Sequence, residues 1–177
     1  MYGIIATWRM ALEGISKADS MLKNNESAAN SIEEAIKAVE DFEYYKSVGY
    51  GGLPNEEMEV ELDAAFMDGD TLEFGCVGGV KDFANPVSIA RSLMHYDANN
   101  FLVGQGAEKY ASRHGFERKT MLTDRAKIHY HNRIKEITNT ELKPYSGHDT
   151  VGMVCLDTAG HMTSATSTSG LCMKHPG

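Results

Sequence analysis

The residues with the most chemical promise lie in the segment Ser146-Gly147-His148-Asp149-Thr150-Val151-Gly152-Met153-Val154-Cys155-Leu156-Asp157. A polar, loop-like approach ends at Thr150, and an apolar strand starts directly after it. A threonine at a strand start is ordinary by itself, because β-branched residues favour strands. Cutting the Asp149–Thr150 bond would change its chemistry. Thr150 would then carry a free α-amine beside its own hydroxyl. An α-amine titrates near ~8, so it can serve as the base for that hydroxyl and make it a nucleophile.

Other chemistries find less support. His129-x-His131 falls in a predicted helix, where positions two apart do not face each other, and there is no HExxH, so no metal site is expected. Gly75-Cys76-Val77-Gly78-Gly79 follows a strand but has neither dinucleotide-fingerprint nor Walker A spacing; it reads as the glycines of a hairpin. Glu33-Glu34 and Glu56-Glu57-x-Glu59 read as solvated faces, and no GxSxG elbow occurs. Cys76, Cys155 and Cys172 lack CxxC spacing, so neither a disulfide framework nor a zinc site is indicated. They read as reduced, buried cysteines. Strand alternation sends Cys155 to the face opposite Thr150, into a core, so it is not a rival nucleophile.

These residues need elements to hold them. Residues 3–6 form a predicted strand. The first clear helix is expected over Ala28–Asp41, with Ala28, Ile32, Ala35, Ile36 and Val39 on one face. Either Ser27 or a Ser31/Glu34 capping box starts it. Leu62–Met67 and Thr71–Val77 flank Asp68-Gly69-Asp70 as a hairpin. Asn85-Pro86 opens a helix running to about His95. Phe101–Val103 is a short strand, and residues 105–114 form a helix stopped by Gly115. Thr123-Asp124 opens a helix to about Ile137. Val151–Asp157 and His161–Ser167 are strands around Thr158-Ala159-Gly160. Mixed helices and hairpin strands indicate an α+β domain.

Composition agrees with one globular domain: 177 residues, 42% hydrophobic and 24% charged. A net charge of −8 argues against nucleic acid as a general partner. No apolar run approaches the ~18–20 residues of a membrane span. The N-terminus lacks the basic and apolar regions of a signal peptide, so the cytoplasm is the expected compartment.

Four blocks of the chain, in order, resemble the glycosylasparaginases, N-terminal nucleophile hydrolases of the isoaspartyl peptidase and asparaginase superfamily. One is His148-Asp149-Thr150-Val151-Gly152-Met153-Val154 followed by Thr166-Ser167-Thr168-Ser169-Gly170, similar to the processing site and its hairpin. Ala6-Thr7-Trp8 resembles the first strand and pocket tryptophan. Val48-Gly49-Tyr50-Gly51-Gly52-Leu53-Pro54-Asn55 with Glu61-Leu62-Asp63-Ala64-Ala65-Phe66-Met67-Asp68-Gly69 is a third. Asn85-Pro86-Val87-Ser88-Ile89-Ala90-Arg91 with Leu102-Val103-Gly104-Gln105-Gly106-Ala107 is the fourth.

The resemblance implies an αββα four-layer sandwich, C-terminally incomplete here, with residues 1–149 resembling one subunit and 150–177 the start of another. It implies self-cleavage between Asp149 and Thr150, then hydrolysis of the side-chain amide of a glycosylated asparagine through a β-aspartyl ester on Thr150. Thr168 would tune that nucleophile and Trp8 would line the substrate pocket. The small-molecule substrate is the expected partner, together with further copies in a homo-oligomer, and no metal or organic cofactor is expected. An isoaspartyl peptidase or L-asparaginase is the alternative substrate reading. A truncated, non-catalytic fragment or unprocessed precursor is the alternative of another class. After Lys174, relatives continue with an arginine and an aspartate that hold the substrate's α-carboxylate and α-amine, and then an oxyanion segment; Gly177 precedes all of these.

Overall fold

The computed structural model describes residues 1–139 and 150–177. Strand β1 (Gly3–Ala6) leads through a 3-10 turn at Arg9–Ala11 into helices α1 (Leu12–Lys23) and α2 (Ala28–Glu40). The apolar stripe of α2 is buried as its spacing predicts. Ser27 caps it, its hydroxyl accepting from the Asn30 N–H at 3.1 Å, while Ser31 lies buried inside the helix. Ser31 is therefore not the cap. Helix α1 was not anticipated. Its buried residues are Gly14, Ala18 and Leu22, and only the last is a large apolar side chain, which dilutes the periodic signal.

The sheet has six strands in the order β1-β5-β6-β2-β3-β4. Strand β2 (Leu62–Asp68) and β3 (Phe74–Val80) form the expected hairpin, with β3 starting later than Thr71. Gly75, Gly78 and Gly79 thus sit within β3 and not in a turn. A Cβ at Gly75 would meet the Ala90 carbonyl oxygen at 2.0 Å, so this glycine lets α3 (Pro86–Leu93) lie close on the strand. Strand β4 (Phe101–Val103) adds in parallel to β3 and runs into α4 (Gly104–Arg113). Helix α5 (Asp124–Asn139) follows, with the Thr123 hydroxyl accepting from the Ala126 N–H at 3.2 Å. Strands β5 (Val151–Leu156) and β6 (Met162–Thr168) are antiparallel and occupy the middle of the sheet.

One face of this sheet is the core. Phe66, Val77, Val151, Met153 and Cys155 are buried among residues of α1, α2 and α3 such as Leu22, Ile32, Ile36 and Ile89. Glu33 belongs to this packing and not to a solvated face: its carboxylate pairs with Arg91 and accepts from Ser88 on α3. Asn85 occupies the N-cap position of α3, yet its side chain caps nothing. It donates instead to Asp41 at 3.0 Å and to Glu40 at 3.3 Å, joining the end of α2 to the start of α3. The opposite face carries exposed apolar side chains: Ile5, Met67, Phe74 and Val154. The chain is thus α+β, and the described residues supply one sheet and one helical layer. A face of this kind is what a second packed sheet covers in a sandwich. Among the described residues no helix is long and apolar enough to cross a membrane.

The α1–α2 contact gives a direct test. A Cβ at Gly14 would lie 2.3 Å from the Ala35 carbonyl oxygen. Gly14→Ala is expected to destabilise the fold by about 1–3 kcal/mol through overpacking. Helix propensity alone would give a gain of about 1 kcal/mol. The shift of the urea midpoint distinguishes the two, and a gain would mean that α1 and α2 do not touch at this point.

Candidate active site

Thr150 stands one residue before β5, at the same end of the sheet as Thr7 and Thr168. Its carbonyl accepts a hydrogen bond from the Thr7 hydroxyl at 2.9 Å. The Thr7 Oγ1 in turn accepts the Gly152 N–H at 2.9 Å, and the Thr7 N–H donates to the Gly152 carbonyl at 2.9 Å. The reason is local. The backbone turns away at Trp8, where φ is 63° and ψ is 148°. The side chain of Thr7 therefore takes over where the ladder with β5 would have used its carbonyl.

On the other side of Thr150 lies β6. Val151 pairs with Ser167, the last pair of the ladder at this end, and Thr150 and Thr168 are the residues next to that pair. Alternation carries both to the open face, away from buried Val151 and Ser167. The Thr168 hydroxyl donates to the Ser47 carbonyl at 3.2 Å and accepts the Gly170 N–H at 3.1 Å. Ser169 N–H reaches the same Ser47 carbonyl at 2.6 Å. The two bonds of the Thr168 hydroxyl use its proton and one lone pair, so toward any further partner it can only accept. Trp8 follows Thr7 directly and is 55% exposed. Asp149 and His148, and with them the peptide bond before Thr150, lie outside the described residues.

Three participants were not singled out from sequence. Thr7 was quoted only as a neighbour of Trp8. Ser47 contributes a backbone carbonyl, which no side-chain pattern reveals. Asp63 is the Cα partner of Thr168 on β2, and its Oδ1 accepts the Gly79 N–H at 2.9 Å. A concave surface of about 600 Å³ lies on the open face of the sheet, lined by Ile5, Thr7, Met67, Phe74, Val154 and Thr166 among others, and neither Thr150 nor Thr168 lines it.

The thiols are poor competitors. Burial, with Asp157 nearby, pushes Cys155 up to about 11, and burial also raises Cys76 and Cys172. All three are free cysteines, of which only Cys155 is fully buried. At neutral pH they stay as thiols, which neither attack nor ligate readily. His129 is held below the usual histidine range by burial and by Lys46 and Arg125. Among the described residues no group of three or more His, Cys, Asp or Glu is arranged to hold a metal.

The chain matches the model of the family described as Asparaginase over residues 6–177. It is 32% identical over 174 residues to an N(4)-(β-N-acetylglucosaminyl)-L-asparaginase of Elizabethkingia miricola, covering 98% of this chain and 51% of the relative. It is 36% identical over 172 residues to an isoaspartyl peptidase/L-asparaginase of Rattus norvegicus, covering 93% and 51%. To an isoaspartyl peptidase of Escherichia coli (strain K12) it is 31% identical over 172 residues, covering 92% and 53%. The chain spans about half the length of the curated relatives it matches.

The Thr7 bridge is testable without any assay of activity. Thr7→Val should speed hydrogen exchange at the Gly152 amide about fivefold, for a lost bond of ~1 kcal/mol. Thr7→Ser should keep the wild-type rate. Equal exchange in all three proteins would show that the hydroxyl does not hold β5.

Proposed function

The chain belongs to the asparaginase family, and from that premise we propose that it carries the nucleophile of a self-cleaving amidohydrolase acting on the side-chain amide of glycosylated asparagine. The observation that carries this reading is the position of Thr150, whose carbonyl is held by Thr7 and which directly precedes the Val151–Ser167 pair of the β5–β6 ladder. The first reaction is internal. The Thr150 hydroxyl attacks the Asp149 carbonyl carbon, the Asp149–Thr150 C–N bond breaks, and an ester forms. Water hydrolyses the ester and leaves Thr150 with a free α-amine.

The second reaction uses that amine as base. It takes the hydroxyl proton as Oγ1 attacks the substrate's side-chain amide, the protonated amine leaves, and a β-aspartyl ester remains on Thr150. Water then releases aspartate. Thr168 accepts a hydrogen bond from Thr150 and fixes which way its polar groups point. Trp8 offers an exposed apolar wall beside them. The reading assigns the substrate's α-carboxylate and α-amine to an arginine and an aspartate of the family pattern that continues past Lys174. Such charge-assisted bonds contribute about 1.5–3 kcal/mol each. In the same reading residues 1–149 and 150–177 separate as two pieces held by the sheet. A second sheet covers the open apolar face, further copies complete an oligomer, and the free thiols favour the cytoplasm.

Hydrolysis of β-aspartyl dipeptides or asparagine is the second reading, supported by relatives that bear the name isoaspartyl peptidase. Both share the β-aspartyl ester and differ in the leaving amine. A non-catalytic fragment or unprocessed precursor is the reading from another class.

Intact-mass measurement over time separates these. The proposal expects the chain to split into two masses at Thr150, Thr150→Ala to stay whole, and Thr168→Ala to split at least tenfold more slowly. Aspartate release from glycosylated asparagine faster than from a β-aspartyl dipeptide selects the first substrate reading. A folded protein carrying the family's continuation past Lys174 that stays whole and releases no aspartate from either overturns the enzyme reading.

A further inference from the structure

The segment 46–53 follows α2 and closes on itself. The Leu53 N–H donates to the Lys46 carbonyl at 2.6 Å, and the Gly52 N–H to the Gly49 carbonyl at 3.1 Å. Two outside acceptors pin it. The Glu40 carbonyl takes the Tyr50 N–H at 2.7 Å, and the Met121 carbonyl takes the Gly51 N–H at 2.9 Å. This closed loop offers β6 the Ser47 carbonyl, which accepts the Thr168 hydroxyl at 3.2 Å and the Ser169 N–H at 2.6 Å. A second point of contact lies at Gly52. A Cβ there would stand 2.6 Å from Ser169 Oγ and 2.7 Å from Ser169 Cβ. Ser169 has no exposed surface, and among the described residues its hydroxyl has no hydrogen-bond partner. The side chain of Ser169 therefore meets the loop by its bulk, while its backbone supplies the bond.

We propose that Gly52 is a positioning residue: having no side chain, it lets the segment 46–53 lie so close on Ser169 that the Ser47 carbonyl takes the proton of Thr168. The proposal rests on the reading of Thr150 and Thr168 given above. Its consequence is directional. With its proton on Ser47 and one lone pair taken by the Gly170 N–H, the Thr168 hydroxyl can only accept from a further partner. A methyl group at position 52 moves the loop off β6. Rotation about χ1 carries Ser169 Oγ aside, but Ser169 Cβ is fixed to its backbone, so the loop must yield. The Ser47 carbonyl then withdraws, and Thr168 is free to turn its proton toward Thr150. A donor there competes for the lone pair with which the Thr150 hydroxyl attacks, and the attack slows.

A size exchange across this contact tests the proposal. Gly52→Ala should speed hydrogen exchange at the Ser169 amide about fivefold, the size of one lost hydrogen bond. The Gly152 amide, held by Thr7, should keep its rate. In the protein carrying the family's continuation past Lys174, the same variant should split at Thr150 at least about fivefold more slowly. Ser169→Gly removes both atoms that the new methyl meets. Combined with Gly52→Ala it should therefore return both rates to those of Ser169→Gly alone, a strongly non-additive pair. Ser169→Val crowds the same contact from the β6 side, should reproduce Gly52→Ala, and covers the case in which that variant fails to fold. A merely structural Gly52 would speed exchange at Ser169 and Gly152 alike. That outcome, unchanged exchange at Ser169, or no rescue by Ser169→Gly overturns the proposal. So does wild-type splitting in a variant whose Ser169 amide has loosened. If exchange follows the expected pattern while no protein splits, the loop contact stands and the enzyme reading falls.

Discussion

Everything at the candidate site depends on the register between β5 and β6. Side chains alternate along a strand, so a slip of one residue would turn Val151, Met153 and Cys155 out of the core and bring Gly152 and Val154 in. Each fully buried Val or Met is worth about 1.5–3 kcal/mol, so the slipped sheet loses several kcal/mol at once. The hairpin turn reinforces the choice. The Asp157 carboxylate accepts the N–H groups of Ala159 and His161 within the turn, and its other oxygen accepts the N–H of Ala28 at 3.0 Å. Burial pushes this carboxyl up, but those amide bonds outweigh it and hold it below its usual range. A single aspartate therefore sets the turn and fastens it to the start of α2.

From that fixed point the rest of the site follows by covalent reach. Helix α2 starts at Asp157 and ends at Glu40, beneath the opposite end of the hairpin. The segment after it returns across the sheet, placing the Ser47 carbonyl against Thr168 and Ser169. Strand β1 lies on the other flank of β5, so its last residue delivers Thr7 to Thr150. Thr7 and Thr168 thus come from widely separated parts of the sequence, one after β1 and the other at the end of β6. Neither location depends on the turn chemistry near the other.

Much of this was legible in the sequence. The stripe on α2, the two hairpins, the Phe101–Val103 strand and the Thr123 start are local patterns, and local patterns survive into the structure. Cys155 was placed correctly because alternation is enforced wherever one face is buried. The misreadings have a common cause. Helix α1 and Glu33 are both governed by what lies across from them: the Ala35 carbonyl and Arg91. Such partners are distant in sequence and leave no periodic trace. Asn85 shows the same thing at an N-cap, where a tertiary partner took the side chain that local chemistry had assigned to the helix. Thr7 and Ser47 escaped for a related reason, since one acts as a substitute ladder acceptor and the other through its backbone.

The chemical character of the site follows from what flanks Thr150. Thr7 and Thr168 present neutral hydroxyls, and Ser47 a carbonyl. Asp63, the carboxylate paired with Thr168 across β2, has one oxygen already engaged by Gly79 N–H. An opposite charge in contact with an amine would favour its protonated form, and a buried cation would disfavour it. A neutral hydroxyl lining does neither strongly. An unperturbed α-amine is partly unprotonated near neutrality, which is the condition the proposed nucleophile needs. The carboxylate of Asp63 acts at one remove, through the β3 backbone. In this arrangement electrostatics position the threonines, while the proposed proton transfer stays within a single residue.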